Sequence, residues 1–298
     1  MPPRKRSHPP PFSARSSRLP LLRRFRLKSI ALWALLITAM VFLFSRLRGG
    51  HDRMVSGKPP VVIVTVLEPE AYSSQYLDNI MDNRNEYAAK HDYPLNGAPA
   101  SWAKVPAVRH AMATFPQATY FWFIDQNALI MNPDITIEQH IMDARRMETL
   151  MLRDQPVIPP DSVIKTFPQL RGEYIDLALT QDSEGLVAGS FILRRSEWSK
   201  FFLDTWFDPL YRSYNFQKAD THALEHIIQW HPTILSKLAL IPQRTMNAYS
   251  KGEGASVIYK DGDFVITFAN CNAANYADCE IEADTFQRQW RTIFRATR

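Results

Sequence analysis

The first 50 residues contain no aspartate or glutamate, yet they hold 11 of the chain's 35 Lys and Arg. From residue 51 onward 24 basic residues face 30 acidic ones, so the net charge of +5 belongs to a basic head on an acidic body. That division excludes a nucleic-acid-binding body, whose basicity would have to lie on its folded face. Cysteine is almost missing too. Cys271 and Cys279, eight positions apart in an Asn- and Ala-rich stretch, are the only two, and none of the eight histidines is adjacent. A zinc site needs more ligands than that, so the pair reads as a disulfide closing a small loop. No Asn-x-Ser/Thr sequon and no internal repeat occur. With 46% hydrophobic residues the chain is not a disordered one, and its 298 residues suffice for one large domain or two small ones.

Long uncharged runs are also scarce. The only one near membrane length is Ile30 to Phe44, IALWALLITAMVFLF, which Ser29 and Ser45 extend to 17 residues. Nine Lys or Arg precede it (Arg4, Lys5, Arg6, Arg15, Arg18, Arg23, Arg24, Arg26, Lys28) and two follow, Arg46 and Arg48. The charge bias predicts a signal anchor with the N-terminus in the cytosol, and the short span suits the thin membranes of the early secretory pathway. Two alternatives compete. A cleaved signal peptide needs an A-x-A-like site, which SRLRGG after the run lacks; a mitochondrial presequence rarely carries so long an apolar run. The expected organisation is a basic tail at 1–28, a transmembrane anchor at 29–45, a stem at 46–60 and a single folded body at 61–298.

The body opens with VVIVTVL from Val61, a β-branched run typical of a buried strand. Helical spacing follows from Gln75 to His91 and again from Ser101 to Phe115. Tyr120 to Ile124 is an aromatic and branched strand, Asp134 to Met151 a helical cover, and Asp154 to Gly172 a Pro-rich loop. Tyr174 to Leu179 and Phe191 to Leu193 read as strands, with GLVAGS as the turn before the second. Glu197 to Trp206 and Asp220 to Trp230 read as helices, and Phe264 to Phe268 as the last strand. Strands alternating with helices predict an α/β class with a mostly parallel central sheet flanked by helices.

Asp125 ends the Tyr120–Ile124 strand, and a charge directly after a buried strand is costly unless it is paired, hydrated or bound to a cation. Ligands of open α/β sheets sit beyond the carboxyl ends of the strands, so Asp125 is a candidate for chemistry. Asn127 stands two residues on and offers an amide oxygen without charge. A carboxylate that merely caps the turn is the competing reading.

Taken together, these stretches resemble glycosyltransferase family 34, which holds fungal Golgi α-1,2-galactosyltransferases and α-1,6-mannosyltransferase subunits. The resemblance is carried by Asn83, Arg84, Tyr87, Ala88 and His91; Trp102 and Lys104; the Asp125 to Pro133 block, DQNALIMNP; Gln181 and Asp182; GLVAGSFILRRSEW at 185–198; ALEH at 223–226; PQRTMN at 242–247; and GDFVITFANC at 262–271 with Cys279. It implies a GT-A fold, a nucleotide-sugar donor, Mn²⁺ and retention of anomeric configuration. The family's metal motif is Asp-x-Asp with a later histidine. Here Asn127 and Thr267 stand at two of those positions, leaving Asp125 as the only strong ligand in the expected metal set of Asp125, Asn127 and Thr267. Asp220 and Asp182 are the candidate catalytic carboxylates, Asp220 being equally a helix N-cap. Arg84, Lys104, Gln181, Gly189 and Ser190 are candidate substrate contacts, with surface ion pairing the alternative for Arg84 and Lys104. The implied donor is GDP-mannose or UDP-galactose and the implied acceptor a mannan or N-glycan. The setting would be the Golgi membrane among other mannosyltransferase subunits, with no nucleic acid. A non-catalytic scaffolding subunit is the rival from another class.

Overall fold

The computed structural model describes residues 59–99, 102–160, 162–214, 216, 219–252, 257–269, 271 and 276–297, all within the compact unit Val55–Arg298. The expected tail, anchor and nearly all of the stem lie outside the described residues. No described helix is long and apolar enough to cross a membrane.

Strand β1 (Val61–Leu67) leads into helix α1 (Ser74–His91), edge strand β2 (Leu95–Pro99), helix α2 (Lys104–Thr114) and strand β3 (Tyr120–Ile124). A short β4 (Ala128–Ile130) follows, then a π-helical turn (Glu138–Met142) and α3 (Ala144–Leu150). The antiparallel pair β5 (Leu177–Gln181) and β6 (Leu186–Arg194) precedes α4 (Glu197–Trp206), α5 (Pro209–Ser213) and α6 (Ala219–Trp230). After α7 (Pro232–Leu235) come β7 (Leu238–Leu240), β8 (Ala248–Tyr249) and β9 (Val265–Thr267), and α8 (Tyr276–Ala296) ends the described chain.

The central sheet has six strands in the order β2-β1-β3-β6-β5-β7, and β4-β9-β8 form a second, three-stranded sheet. β2, β1 and β3 run parallel, but β6 runs against both of its neighbours. β7 is parallel to β5, so five of the six strands run one way: the sheet is mostly parallel, as expected, and mixed only through β6. That one reversal arises because the stretch 186–194 is a nine-residue strand, not a turn followed by a short strand. A β-hairpin return from β5 is necessarily antiparallel.

Side-chain alternation along the central strands fills two separate core layers. Val61 and Ile63 of β1 and Trp122 and Ile124 of β3 point into one layer, with Trp290 and Phe294 of α8. Val62 and Val64, with Phe121 and Phe123, point into the other, against α2, α4 and α6. Phe202 and Trp206 are fully buried there, as the helical reading of 197–206 required. The expected 134–151 helix is broken at Asp143, whose carboxylate caps α3 by accepting from the amides of Arg145 and Arg146.

Candidate active site

Because β1 and β3 are parallel neighbours, their carboxyl ends open at the same edge of the sheet. Glu68 follows β1 there, and Asp125 follows β3. Lys104, the first residue of α2, and Asp220, in the first turn of α6, arrive from the facing layer. With Trp102, Phe123 and Gln126 these residues line a cleft of about 240 Å³. The Lys104 ammonium lies 2.7 Å from Asp220 Oδ2 and 5.6 Å above the Phe123 ring. The cleft thus joins three sequence-chosen residues, Asp125, Lys104 and Asp220, and adds Glu68 and Gln126, which sequence reasoning missed.

Charge in the cleft is unbalanced, three carboxylates against one ammonium. Burial pushes the Asp125 carboxyl above the usual range; Lys104 and the Asn127 and Gln126 amides oppose the shift, and Asp220 adds to it. Burial and Asp125 push Glu68 up as well. Burial works against the Lys104 ammonium, but Asp220 and Asp125 outweigh it and hold its pKa above the ordinary lysine value.

The loop carrying Asp125 is pinned from beneath by α1 and the turn before it. Arg84 is fully buried and donates to the carbonyls of Asp125 (3.0 Å) and Ala128 (2.6 Å). Asn83 behaves like a strand partner, donating to the Ile130 carbonyl and accepting from the Ile130 amide. The Tyr76 hydroxyl donates to the Gln126 carbonyl, and Tyr72 donates to Asn127 Oδ1 at 2.7 Å. Gln126 in turn accepts the Glu68 amide at 2.8 Å, tying the two strand ends together. The apolar spacing in α1 gave the face that points to this loop; nothing in the spacing identified Tyr72 or Glu68.

Several expected contacts lie elsewhere. Arg84 does not reach the cleft as a substrate contact, since its guanidinium is spent on backbone carbonyls under the loop. Ser190 is fully buried in β6 and accepts from the Trp122 indole at 3.0 Å, so its hydroxyl serves the core. Gly189 does border Asp125: its carbonyl accepts the Asp125 amide, and a Cβ there would lie 3.8 Å from the Asp125 Cβ. Gln181 donates to the Pro156 carbonyl. Asp182 accepts the Glu184 and Gly185 amides and the Tyr249 hydroxyl, which makes it the organiser of the β5–β6 turn instead of a cleft carboxylate.

The expected metal set is divided. Thr267 pairs with Ala128 in the small sheet, and the Phe268 amide donates to the Asn127 carbonyl, so the backbones are adjacent. The Thr267 hydroxyl, however, donates to Asn247 Oδ1 at 2.6 Å within a buried cluster that includes Thr180. No group of three or more His, Cys, Asp or Glu that could hold a metal occurs among the described residues. What lines the cleft is the Asp125 carboxylate beside a surplus of negative charge; Asn127, two residues on, is not among the lining residues, and its Oδ1 accepts from Tyr72. A carboxylate with an amide oxygen two residues away offers hard-oxygen ligands of the kind Mn²⁺ takes, without forming a closed cage. At the far end of the small sheet Cys271 and Cys279 are disulfide-bonded, with Cα atoms 5.9 Å apart, as their spacing predicted.

Comparison with known proteins bears on the family and the fold. A sequence model of the galactosyl transferase GMA12/MNN10 family matches residues 57–278. The chain is 32% identical over 245 residues to the probable α-1,6-mannosyltransferase MNN10 of Saccharomyces cerevisiae, covering 72% of this chain and 61% of that protein. It is 31% identical over 220 residues to an uncharacterised α-1,2-galactosyltransferase of Schizosaccharomyces pombe, covering 68% of this chain and 58% of the relative. The chain thus spans less than two thirds of the length of either. A solved glycosyltransferase involved in glycosylating the major capsid of PBCV-1 shares the fold, with a TM-score of 0.53 at 12% identity, covering 76% of this chain and all of that one. The chain therefore belongs to the galactosyl transferase GMA12/MNN10 family.

Proposed function

We propose that the protein is a retaining α-glycosyltransferase, an α-1,6-mannosyltransferase subunit that takes GDP-mannose and elongates a mannan or N-glycan acceptor. Its place is the Golgi membrane, in single-pass type II topology with the body in the lumen, alongside other mannosyltransferase subunits. The reading rests on one observation above the rest: Asp125, Lys104 and Asp220 converge from three elements in one cleft at the carboxyl ends of parallel strands. Relatives described as mannosyl and galactosyl transferases support it. The acid-free head followed by the 29–45 apolar run supports the topology.

In this proposal the Lys104 ammonium meets the donor diphosphate, a role suited to a point charge that shifts readily between acceptors. Asp220, held beside it, faces the anomeric carbon and steadies positive charge developing on the sugar ring. Asp125 and Asn127 would hold Mn²⁺, which when bound offsets charge on the departing diphosphate. The diphosphate takes up the proton of the acceptor hydroxyl as the new glycosidic bond forms and the sugar–phosphate bond breaks.

The experiment is a calorimetric titration of the full chain with GDP-mannose and UDP-galactose, each with and without Mn²⁺. Binding of GDP-mannose strengthened by Mn²⁺ is the expected outcome. Preference for UDP-galactose would shift the donor assignment to the α-1,2-galactosyltransferase alternative, and binding of neither would overturn the enzyme reading. A second reading has its own observation: Asn127 Oδ1 and the Thr267 hydroxyl are already bonded within the protein, to Tyr72 and Asn247. That favours a scaffolding subunit of a mannan polymerase, for which transfer would appear only when a second subunit is added.

A further inference from the structure

Most of the cleft lining is fixed by bonds of its own. Phe123 is held in the core, and Gln126, 3% exposed, accepts the Glu68 amide at 2.8 Å. The Asp125 carboxylate accepts from the backbone amides of Asn127 and Gln126. The contact between Lys104 and Asp220 has no such support. Its two charges meet at 2.7 Å, and among the described residues Asp220 Oδ2 is buried with no hydrogen bond beyond that ion pair. The pair also joins two elements that line the cleft, since Lys104 opens α2 and Asp220 sits in the first turn of α6.

The main chain on both sides of the pair is preset. Trp102, two residues before Lys104, has φ 53°, and Ala219, directly before Asp220, has φ 42°. Both residues line the cleft, and neither is glycine. Left-handed backbone is costly for a residue with a Cβ and persists only where its neighbours hold it. The end of α4 supplies that hold: the Trp206 indole donates to the Asp220 carbonyl at 2.8 Å, and the Phe207 ring meets Trp102 edge-on at 6.5 Å. With the main chain so held, the side chains of the pair are the part that can exchange partners. The cleft needs such a part. At about 240 Å³ it is smaller than the roughly 300–1,000 Å³ of small-molecule sites. Among the described lining residues Lys104 is the single cation, so an entering diphosphate and Asp220 compete for one ammonium.

We infer that the Lys104–Asp220 ion pair is a latch on the empty cleft: the diphosphate of a nucleoside diphosphate donor takes Lys104 from Asp220, and the carboxylate set free meets the sugar. The inference rests on the transferase reading above and adds an order of events to it, the diphosphate first and the release of Asp220 second. An empty cleft keeps Asp220 covered. Donor binding then carries the cost of opening the pair, and a latched state favoured about ten to one over the open state weakens apparent affinity about tenfold.

The test uses the full chain in detergent with Mn²⁺ present throughout, and GDP as the probe in calorimetry, with UDP titrated in parallel. GDP carries the diphosphate and no sugar, so the contact of Asp220 with the sugar does not enter. Asp220→Asn is expected to tighten GDP binding roughly tenfold. Asp220→Ser, which removes the same charge, should tighten it likewise, so the result does not hang on one substitution. Glu68→Gln is the control for charge alone: it takes a carboxylate from the same lining without unpairing Lys104, and should tighten GDP only about twofold. In a Lys104→Met background the advantage of Asp220→Asn over Glu68→Gln should vanish. If the parent binds GDP but neither Asp220 variant binds it more tightly than Glu68→Gln, the latch is overturned and the transferase reading stands. Weaker binding by both Asp220 variants also overturns it, since the pair would then be holding Lys104 in place for the diphosphate. Binding by the Asp220 variants and not by the parent supports the latch. If neither GDP nor UDP binds the parent or any variant, the transferase reading fails and the latch with it.

Discussion

Replacing Lys104 by methionine removes the only ammonium from a cleft that keeps Glu68, Asp125 and Asp220. The side chains of Lys104 and Asp220 are 16% and 17% exposed and 2.7 Å apart, so the pair is largely shielded from solvent. Breaking a fully buried pair from one side costs about 3–5 kcal/mol, because the remaining charge is left unpaired. Allowing for the residual exposure, Lys104→Met should cost about 2–3 kcal/mol in chemical denaturation of the full chain. That corresponds to a fall in Tm of about 5–10 °C for a body of this size. The loss should depend on pH. Asp125 and Glu68 already have raised pKa values in the folded protein, and Lys104 lowers both, so removing it drives them higher. Folded carboxyls with raised pKa values bind protons more readily than the unfolded chain, which makes stability fall as pH rises through them. The variant should therefore regain stability as pH falls from 8 toward 5. The double variant Lys104→Met, Asp220→Asn should recover about 1 kcal/mol or more of the loss as coupling energy. A cost below about 0.5 kcal/mol, or one that is flat between pH 5 and 8, would mean a solvent-screened surface pair and refute the reasoning.

Asp125→Asn keeps acceptors for the Gln126 and Asn127 amides but removes a buried charge that Asp220 and Glu68 repel. It should raise Tm by about 2–4 °C, the usual result of neutralising a strained functional residue, while nucleotide-sugar binding by calorimetry disappears. Arg84→Met should cost about 3 kcal/mol in denaturation, because the Asp125 and Ala128 carbonyls lose their buried donor. The same variant should bind the donor more weakly through a loosened loop, seen as faster amide exchange at 125–128. Opening the Cys271–Cys279 bridge by Cys271→Ser, with Cys279→Ser to avoid a free thiol, should cost about 2–3 kcal/mol for so short a closed loop. Thermal melts of the parent with and without reductant should show the same difference.

Sequence alone established the alternation of strands and helices and singled out Asp125, while Lys104 and Asp220 came from the family resemblance. Those properties are local: a β-branched run such as VVIVTVL buries on both faces wherever it packs, and a carboxylate ending an aromatic strand is costly in any fold. The Cys271–Cys279 pair was legible for a similar reason, since two cysteines eight positions apart have no other nearby partner. The fate of Arg84, Ser190 and Asp182 was not local. Each is a plausible ligand contact by residue type, and each turned out to satisfy a backbone or indole group of its own scaffold. Glu68 follows the VVIVTVL run just as Asp125 follows the aromatic one, a signal the sequence reading applied only to Asp125; the parallel pairing of β1 with β3 is what sets the two acids beside each other. The reversed direction of β6 also escaped the sequence, as a hydrophobic run carries no sign of which way it lies against its neighbour. Pairing and direction are set by contacts between residues far apart in the chain, so tertiary structure alone decided which acids share the cleft.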